Sequence, residues 1–333
     1  MADTVLKEIL AQYSKKKASV ELEAEQRKQE LYRNYPKLQQ IDDKLASLAI
    51  STTKSLISNN DKKLLDELNK NIIELKQEKE NFLKKIYIPS DYFKPKYDCN
   101  ICKDTGYITN DDYTTSMCAC LKQKLYNELY NKANITNLDT QNFNNFTDLL
   151  YSDEVNEEKY HSKISPRKNI NIIKDICLKF IENFDDKEQK NLLFTGNTGL
   201  GKTFLSSCIA NEILKTGKNV LYQTAPVMLD TIIDYRFGKT KSTNIIDNIL
   251  NVDLLIIDDL GTECINNMKF TELFNVINTR LLNQNKITKT IISTNLTLKN
   301  LYSNYDERII SRLVGNYDIC YFFGDDIRFK KRN

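Results

Sequence analysis

The sequence predicts an α/β protein whose parallel sheet is covered by helices, preceded by an all-α region and a small cysteine module. Three observations predict it. From about residue 169, five short apolar runs alternate with helical patterns, as a parallel sheet covered on both faces requires. Only Gly106 precedes residue 196, and the other eight of nine glycines fall between Gly196 and Gly324, so special backbone geometry belongs to the second half. The octapeptide Gly196-Asn197-Thr198-Gly199-Leu200-Gly201-Lys202-Thr203 matches G-x4-G-K-[ST], and it sits between an apolar run and a helix.

Length and composition narrow the rest. A chain of 333 residues corresponds to about two domains. Its 48 Lys+Arg against 45 Asp+Glu leave +3, which excludes binding by bulk positive charge. No apolar run approaches the ~20 residues of a membrane span. The opening MADTVLKEILAQYSKKK lacks the apolar core and cleavage site of a secretory signal, so a cytoplasmic protein without a membrane partner is expected. One histidine, His161 in a polar stretch, excludes Ser-His-Asp hydrolysis and multi-histidine metal catalysis.

Residues 1–90 read as helices. Leu31, Tyr35, Leu38, Ile41, Leu45 and Leu48 recur at spacings of three and four, as do Leu65, Leu68, Ile72, Leu75, Phe82 and Ile86, with a gap at Lys79. Pro36 suits a first helical turn, and the polar stretch 51–61 reads as a turn. Such stripes bury against each other in a hairpin, and a face left over would dock a partner helix.

Residues 91–133 hold the cysteine module. Cys99-x2-Cys102-x15-Cys118-x-Cys120 offers two close pairs of thiolates, the arrangement tetrahedral Zn²⁺ requires. With four protein ligands the site is structural, and metal binding can fold a segment with almost no core. Cys177, Cys208 and Cys320 sit in apolar patterns as core residues, while Cys264 follows an acidic strand. Residues 134–168, polar and Asn-rich, read as a connector.

Residues 169–333 form the α/β core, with strands expected at 191–195, 219–223, 253–258, 288–294 and 318–323. Helices are expected at 170–183, 202–215, 226–235, 243–250, 268–284 and 306–313. The glycines of the octapeptide turn successive N–H groups onto a β-phosphate at a helix N-terminus, where the dipole favours an anion. Lys202 reaches the β- and γ-phosphates, and the Thr203 hydroxyl ligates Mg²⁺. Leu254–Ile257 form a fully apolar strand ending in Asp258-Asp259 at the carboxyl edge, where ligands of such sheets bind. Asp258 is the expected Mg²⁺ partner through water, and Asp259 the residue that orients or deprotonates the attacking water, with Glu263 the alternative. Asn295, after the fourth strand, would sit between the acidic pair and the γ-phosphate.

With GNTGLGKT, LLIIDDLGTE, ISTN, ERIISRL and a final DDIR, the core resembles the AAA+ ATPases. Within them it resembles the bacterial replicative-helicase loaders of the DnaC/DnaI type, and CNICKDTGYI…CAC resembles the cysteine module of DnaI-like loaders. The resemblance implies an ATPase, stimulated by self-association through its core and by single-stranded DNA. It would place the hexameric replicative DNA helicase on single-stranded DNA as part of a primosome, gripping it through the helical domain. It implies an arginine finger donated to a neighbour's ATP, matched by Arg312 with Arg308 the alternative, and a γ-phosphate contact in cis from Arg328. It also implies that the C-terminal helical lid is absent or very short. Candidate DNA contacts are Tyr235-Arg236-Phe237-Gly238-Lys239, Asn266-Asn267-Met268-Lys269 and the basic stretch 328–332. Two rival readings are an IstB-like transposition helper ATPase and a nucleotide-switched adaptor with negligible hydrolysis.

Overall fold

The computed structural model describes residues 2–58, 62–89, 91–110, 113–128, 140–239, 245–264 and 266–329. The chain divides into two compact units, one of Leu10–Ser116 and one of Met1–Ile9 with Met117–Asn333.

In the first unit, three helices dominate: α1 (Ala2–Asn34, in this unit from Leu10), α2 (Pro36–Ser58) and α3 (Lys62–Lys85). Pro36 opens α2, where its missing N–H costs nothing. The expected turn at 51–61 is not a turn over its first eight residues: α2 continues through Ser58. No Gly or Pro interrupts 51–58, so nothing there breaks a helix already under way; the rest of the stretch, 59–61, lies outside the described residues. Leu31, Tyr32, Leu38 and Leu83 form a small core with Phe82 and Ile86 against it. Lys79, the gap in the α3 stripe, donates to Asp42 Oδ1 of α2 at 2.6 Å, and the Tyr32 hydroxyl donates to Asp42 Oδ2 at 2.6 Å. The segment after the helices runs back along α1. Arg27 there donates to the carbonyls of Tyr92 and Lys94, and the Tyr97 hydroxyl donates to Glu21. The short strands β1 (Tyr107–Thr109) and β2 (Thr115–Met117) pair with each other.

The second unit is built on a five-stranded sheet with parallel pairing throughout. Its strands are β3 (Asn191–Gly196), β4 (Val220–Thr224), β5 (Leu254–Leu260), β6 (Lys289–Thr294) and β7 (Tyr317–Phe322), in the order β4-β5-β6-β3-β7. All five expected strands are present to within two residues at either end. The helices are α4 (Ala119–Tyr126), α5 (Glu157–Tyr160), α6 (Pro166–Glu182), α7 (Lys202–Lys215), α8 (Ala225–Arg236), α9 (Ile245–Asn251), α10 (Asn267–Leu281), α11 (Leu298–Asn304) and α12 (Glu307–Asn316). Among the described residues no helix follows β7, and no helix is long and apolar enough to cross a membrane.

Alternate strand residues serve opposite faces. Leu193, Leu221, Leu255, Ile257 and Ile292 pack with α8, α9, α10 and α12. Leu192, Phe194, Val220, Tyr222, Leu254, Ile256 and Ile291 pack with α6 and α7. Of residues 134–168, read as a polar connector, 134–139 lie outside the described residues and the rest contribute to that second face: Tyr151 is buried in it, with Phe143, Phe146 and Leu150 against it. The many asparagines conceal these apolar side chains from a composition-based reading. Arg280, 3% exposed, ties the base of the first face together. Its guanidinium donates to the carbonyls of Ile249, Leu250, Val252 and Lys289 and to the Thr290 hydroxyl.

Candidate functional site

The carboxyl ends of β3, β5 and β6 bring the central candidates together. At the end of β3 the chain turns through Gly196, Gly199 and Gly201, with φ of 144°, 73° and 91°. Only glycine fits the first of these, because a Cβ on Gly196 would fall 2.1 Å from the Phe322 carbonyl. Leu200 is buried and pins the loop, while Asn197, Thr198 and Thr203 remain exposed at its mouth. The Tyr151 hydroxyl donates to the Leu200 carbonyl at 2.9 Å and braces the loop from the upstream segment.

Lys202, the first residue of α7, is buried. Its ammonium donates to the carbonyls of Gly196 and Asn197 (2.5 and 2.7 Å) and to Asn295 Oδ1 at 2.8 Å. Burial pushes its pKa down to about 8 against the pull of Asp259 and Asp258, and the charge of Arg328 adds to the fall.

Asp258 lies at a one-residue irregularity in β5: Ile257 pairs with Ile292 and Leu260 with Thr294. Its carboxylate accepts four hydrogen bonds. Tyr222 Oη (2.7 Å) and Thr203 Oγ1 (3.1 Å) donate to Oδ2; Ser293 Oγ and the Asp259 N–H (3.1 Å) donate to Oδ1. Every strong acceptor position of the group is therefore in use. A Thr203 hydroxyl whose proton points to Asp258 turns its lone pairs outward, where a hard cation would be ligated.

Asp259 takes a left-handed conformation, φ 56°, uncommon for a residue with a side chain. Burial and the neighbouring Asp258 raise its carboxyl above the usual range, opposed by Lys202 and a hydrogen bond from Asn295. Asn295 thus touches both Lys202 and Asp259. Glu263 is buried and occupied elsewhere: it accepts from the Tyr305 hydroxyl and from the Gly261 N–H at 2.8 Å. It braces the loop after the acidic pair.

The segment after β7 returns to the phosphate loop. Ile327 N–H donates to the Gly199 carbonyl at 3.0 Å. Arg328 Nε lies 2.9 and 3.1 Å from the two carboxylate oxygens of Asp326, and its Nη2 also donates to that group. Arg312 and Arg308 belong to a different surface. Both line a groove of about 290 Å³ with Phe274, Glu307 and Ser311; Arg312 donates to Asn278 Oδ1 at 3.0 Å, and Arg308 pairs with Asp306.

The two described DNA candidates lie side by side, since Arg236 of α8 pairs with Glu272 of α10 and Lys269 pairs with Asp230. Phe237, 65% exposed, projects beside Lys239. In the basic stretch 328–332, residues 330–332 lie outside the described residues.

The sulfurs of Cys99, Cys102, Cys118 and Cys120 all lie within 4.8 Å of one another. Ligands of one tetrahedral zinc stand about 3.8 Å apart, so the donor set fits that ion. Asp104 supports the turn by accepting from the N–H groups of Asp98 and Cys99 (3.0 and 2.9 Å), and the Gly106 N–H lies 3.4 Å from Cys102 Sγ.

Sequence reasoning missed Tyr222, Ser293, Tyr151 and Asp326. Only Ser293 and Asp326 carried a signal, as neighbours of residues already singled out.

Comparison with known proteins gives the following. A family model described as "IstB-like ATP binding protein" matches residues 111–333. The replicative helicase loader DnaC of Escherichia coli (strain K12) is 27% identical over 140 residues, 41% of this chain and 56% of that protein. The chain thus spans little more than half the length of that relative. The phage-like element PBSX protein XkdC of Bacillus subtilis (strain 168) is 24% identical over 248 residues, 70% of this chain and 83% of that protein. A crystal structure of the DnaC helicase loader matches with 24% identity over 50% of this chain and 96% of that one, at a TM-score of 0.41.

Proposed function

The chain belongs to the family of IstB-like ATP-binding proteins, with an AAA+ domain of the IstB/DnaC type, and from that premise we propose that it is a cytoplasmic, ATP-dependent loader of the replicative DNA helicase. ATP, held with Mg²⁺, supplies the phosphoryl group whose transfer to water resets the protein. The phosphate-loop amides of Gly196–Thr203 and the Lys202 ammonium bind the β- and γ-phosphates. Asp258 keeps the Thr203 hydroxyl aimed at Mg²⁺. Asp259, with its raised carboxyl, accepts the proton of the attacking water, and Asn295 links it to Lys202. Arg328 contacts the γ-phosphate within the chain. Arg312, in a groove apart from the phosphate loop, completes the site of a neighbouring copy.

The observation that carries the reading is the hydrogen-bonded set Lys202, Asn295, Asp258 and Thr203 at one sheet edge. The cysteine cluster ahead of the core supports the loader over the transposition helper, for which no such module is expected. We assign it one structural Zn²⁺, the helical residues 1–90 to helicase binding, and the α8–α10 surface around Phe237 to single-stranded DNA. Co-purification with the hexameric replicative helicase, together with steady-state ATP hydrolysis with and without single-stranded DNA, tests the proposal. Helicase capture with DNA-stimulated hydrolysis supports it. Hydrolysis without helicase capture favours the transposition helper, and helicase capture without hydrolysis favours the adaptor.

A further inference from the structure

The segment Gly324-Asp325-Asp326-Ile327-Arg328 places a carboxylate against the phosphate loop. Its turn is anchored twice: Gly324, at φ 140°, packs on Pro166, and the Ile327 N–H donates to the Gly199 carbonyl. The two acids then take different places. Asp325 pairs with Lys159 at 2.6 Å. Asp326 lies on Gly199 so closely that a Cβ there would fall 2.0 Å from its Oδ1. The same carboxylate accepts the Arg328 N–H at 2.9 Å and holds the Arg328 guanidinium by Nε and Nη2.

Building on the ATP-binding reading, we propose that Asp326 sets the discrimination between nucleoside triphosphate and diphosphate by competing with the γ-phosphate for Arg328. The chemistry of the two acceptors decides the competition. A carboxylate offers one negative charge and two oxygens, whereas a terminal phosphate offers nearly two charges and three strong acceptors, so the guanidinium exchanges when a γ-phosphate arrives. Arg328 is free to make that movement, since its side chain is 66% exposed and its charge is already felt at Lys202. A diphosphate ends short of that position and leaves the pair closed. The cost of opening Asp326–Arg328 therefore falls on triphosphate binding alone, and Asp326 lowers the preference that Arg328 alone would confer.

The test measures the dissociation constants of a non-hydrolysable ATP analogue and of ADP for the full chain. The variants are Asp326→Asn, Arg328→Gln and the double variant. Asparagine keeps an acceptor for the Arg328 N–H, so the turn is retained. Asp326→Asn should tighten the ATP analogue by about three- to tenfold while ADP changes by less than about twofold. In the Arg328→Gln background the same change should alter the ratio by less than about twofold. Equal tightening of both nucleotides would overturn the proposal, leaving Asp326 as a general repellent of phosphate. Weaker binding of the ATP analogue would overturn it too, making Asp326 a support for Arg328. If the wild-type chain binds neither nucleotide, the ATP-binding reading itself fails, an outcome distinct from an unchanged ratio.

Discussion

The Tyr222 hydroxyl donates to Asp258 Oδ2 at 2.7 Å, across the parallel register that sets Tyr222 beside Ile256. It shares that oxygen with Thr203, and Ser293 from the strand on the other side of β5 takes the opposite oxygen. Two neighbouring strands thus fix the orientation of the one acid that aims the Thr203 hydroxyl. Burial and Asp258 hold the Tyr222 phenol well above its ordinary pKa, so it remains a donor at any working pH.

Tyr222→Phe should therefore loosen Asp258 without emptying the phosphate loop. The turnover of ATP is expected to fall about tenfold, with more Mg²⁺ needed for half-maximal rate and the KM for ATP within about twofold of wild type. Magnesium titration of the steady-state rate checks this, and an unchanged rate would show that Tyr222 serves packing alone.

Nucleotide affinity should fall as pH rises past about 8. Burial lowers Lys202 to about 8 in the free protein, whereas bound phosphates require it charged, so above that pH binding must take up a proton. The dissociation constant should climb by up to about tenfold per pH unit between about 8 and 10, and stay flat below. In Lys202→Arg, whose guanidinium remains charged, the loss above pH 8 should disappear.

The two halves of the site were unequally legible in the sequence. Gly196–Thr203, Asp258 and Asn295 could be read because their chemistry is local: a loop spacing, an apolar run ending in acids, a polar residue after a strand. Tyr222 could not, since it reads as an ordinary strand aromatic, and only the β4–β5 register sets it against Asp258. Tyr151 was hidden for a related reason, lying among scattered apolar residues in an asparagine-rich stretch. The turn expected at 51–61 failed over 51–58, where polarity without Gly or Pro did not interrupt α2. Lys79 broke the stripe of α3 because it answers Asp42, a partner 37 residues away.

Arg280→Met should destabilise the core by about 2–4 kcal/mol. The substitution strands the carbonyls of Ile249, Leu250, Val252 and Lys289, which the guanidinium serves together from a fully buried position. Arg280→Lys should recover only part, because one ammonium cannot reach the spread of acceptors. Denaturant unfolding of the two variants checks this, and wild-type stability in Arg280→Met would remove Arg280 as the tie.

Freshly purified protein should contain one zinc per chain, and Cys99→Ser with Cys118→Ser should abolish it. Chelation should expose residues 97–121 to limited proteolysis while the α/β core stays resistant, because the segment depends on its metal rather than on apolar burial. Retention of zinc by the double variant would contradict the assignment of the four cysteines.

The most direct measurement is transfer of the hexameric replicative helicase onto circular single-stranded DNA, scored as DNA-bound helicase with wild-type chain or with Lys202→Ala. ATP-dependent loading is expected from the wild type. Lys202→Ala should still bind the helicase through residues 1–90 but leave it off the DNA. Equal loading by both proteins, or no helicase binding by either, would rule out an ATP-dependent loader.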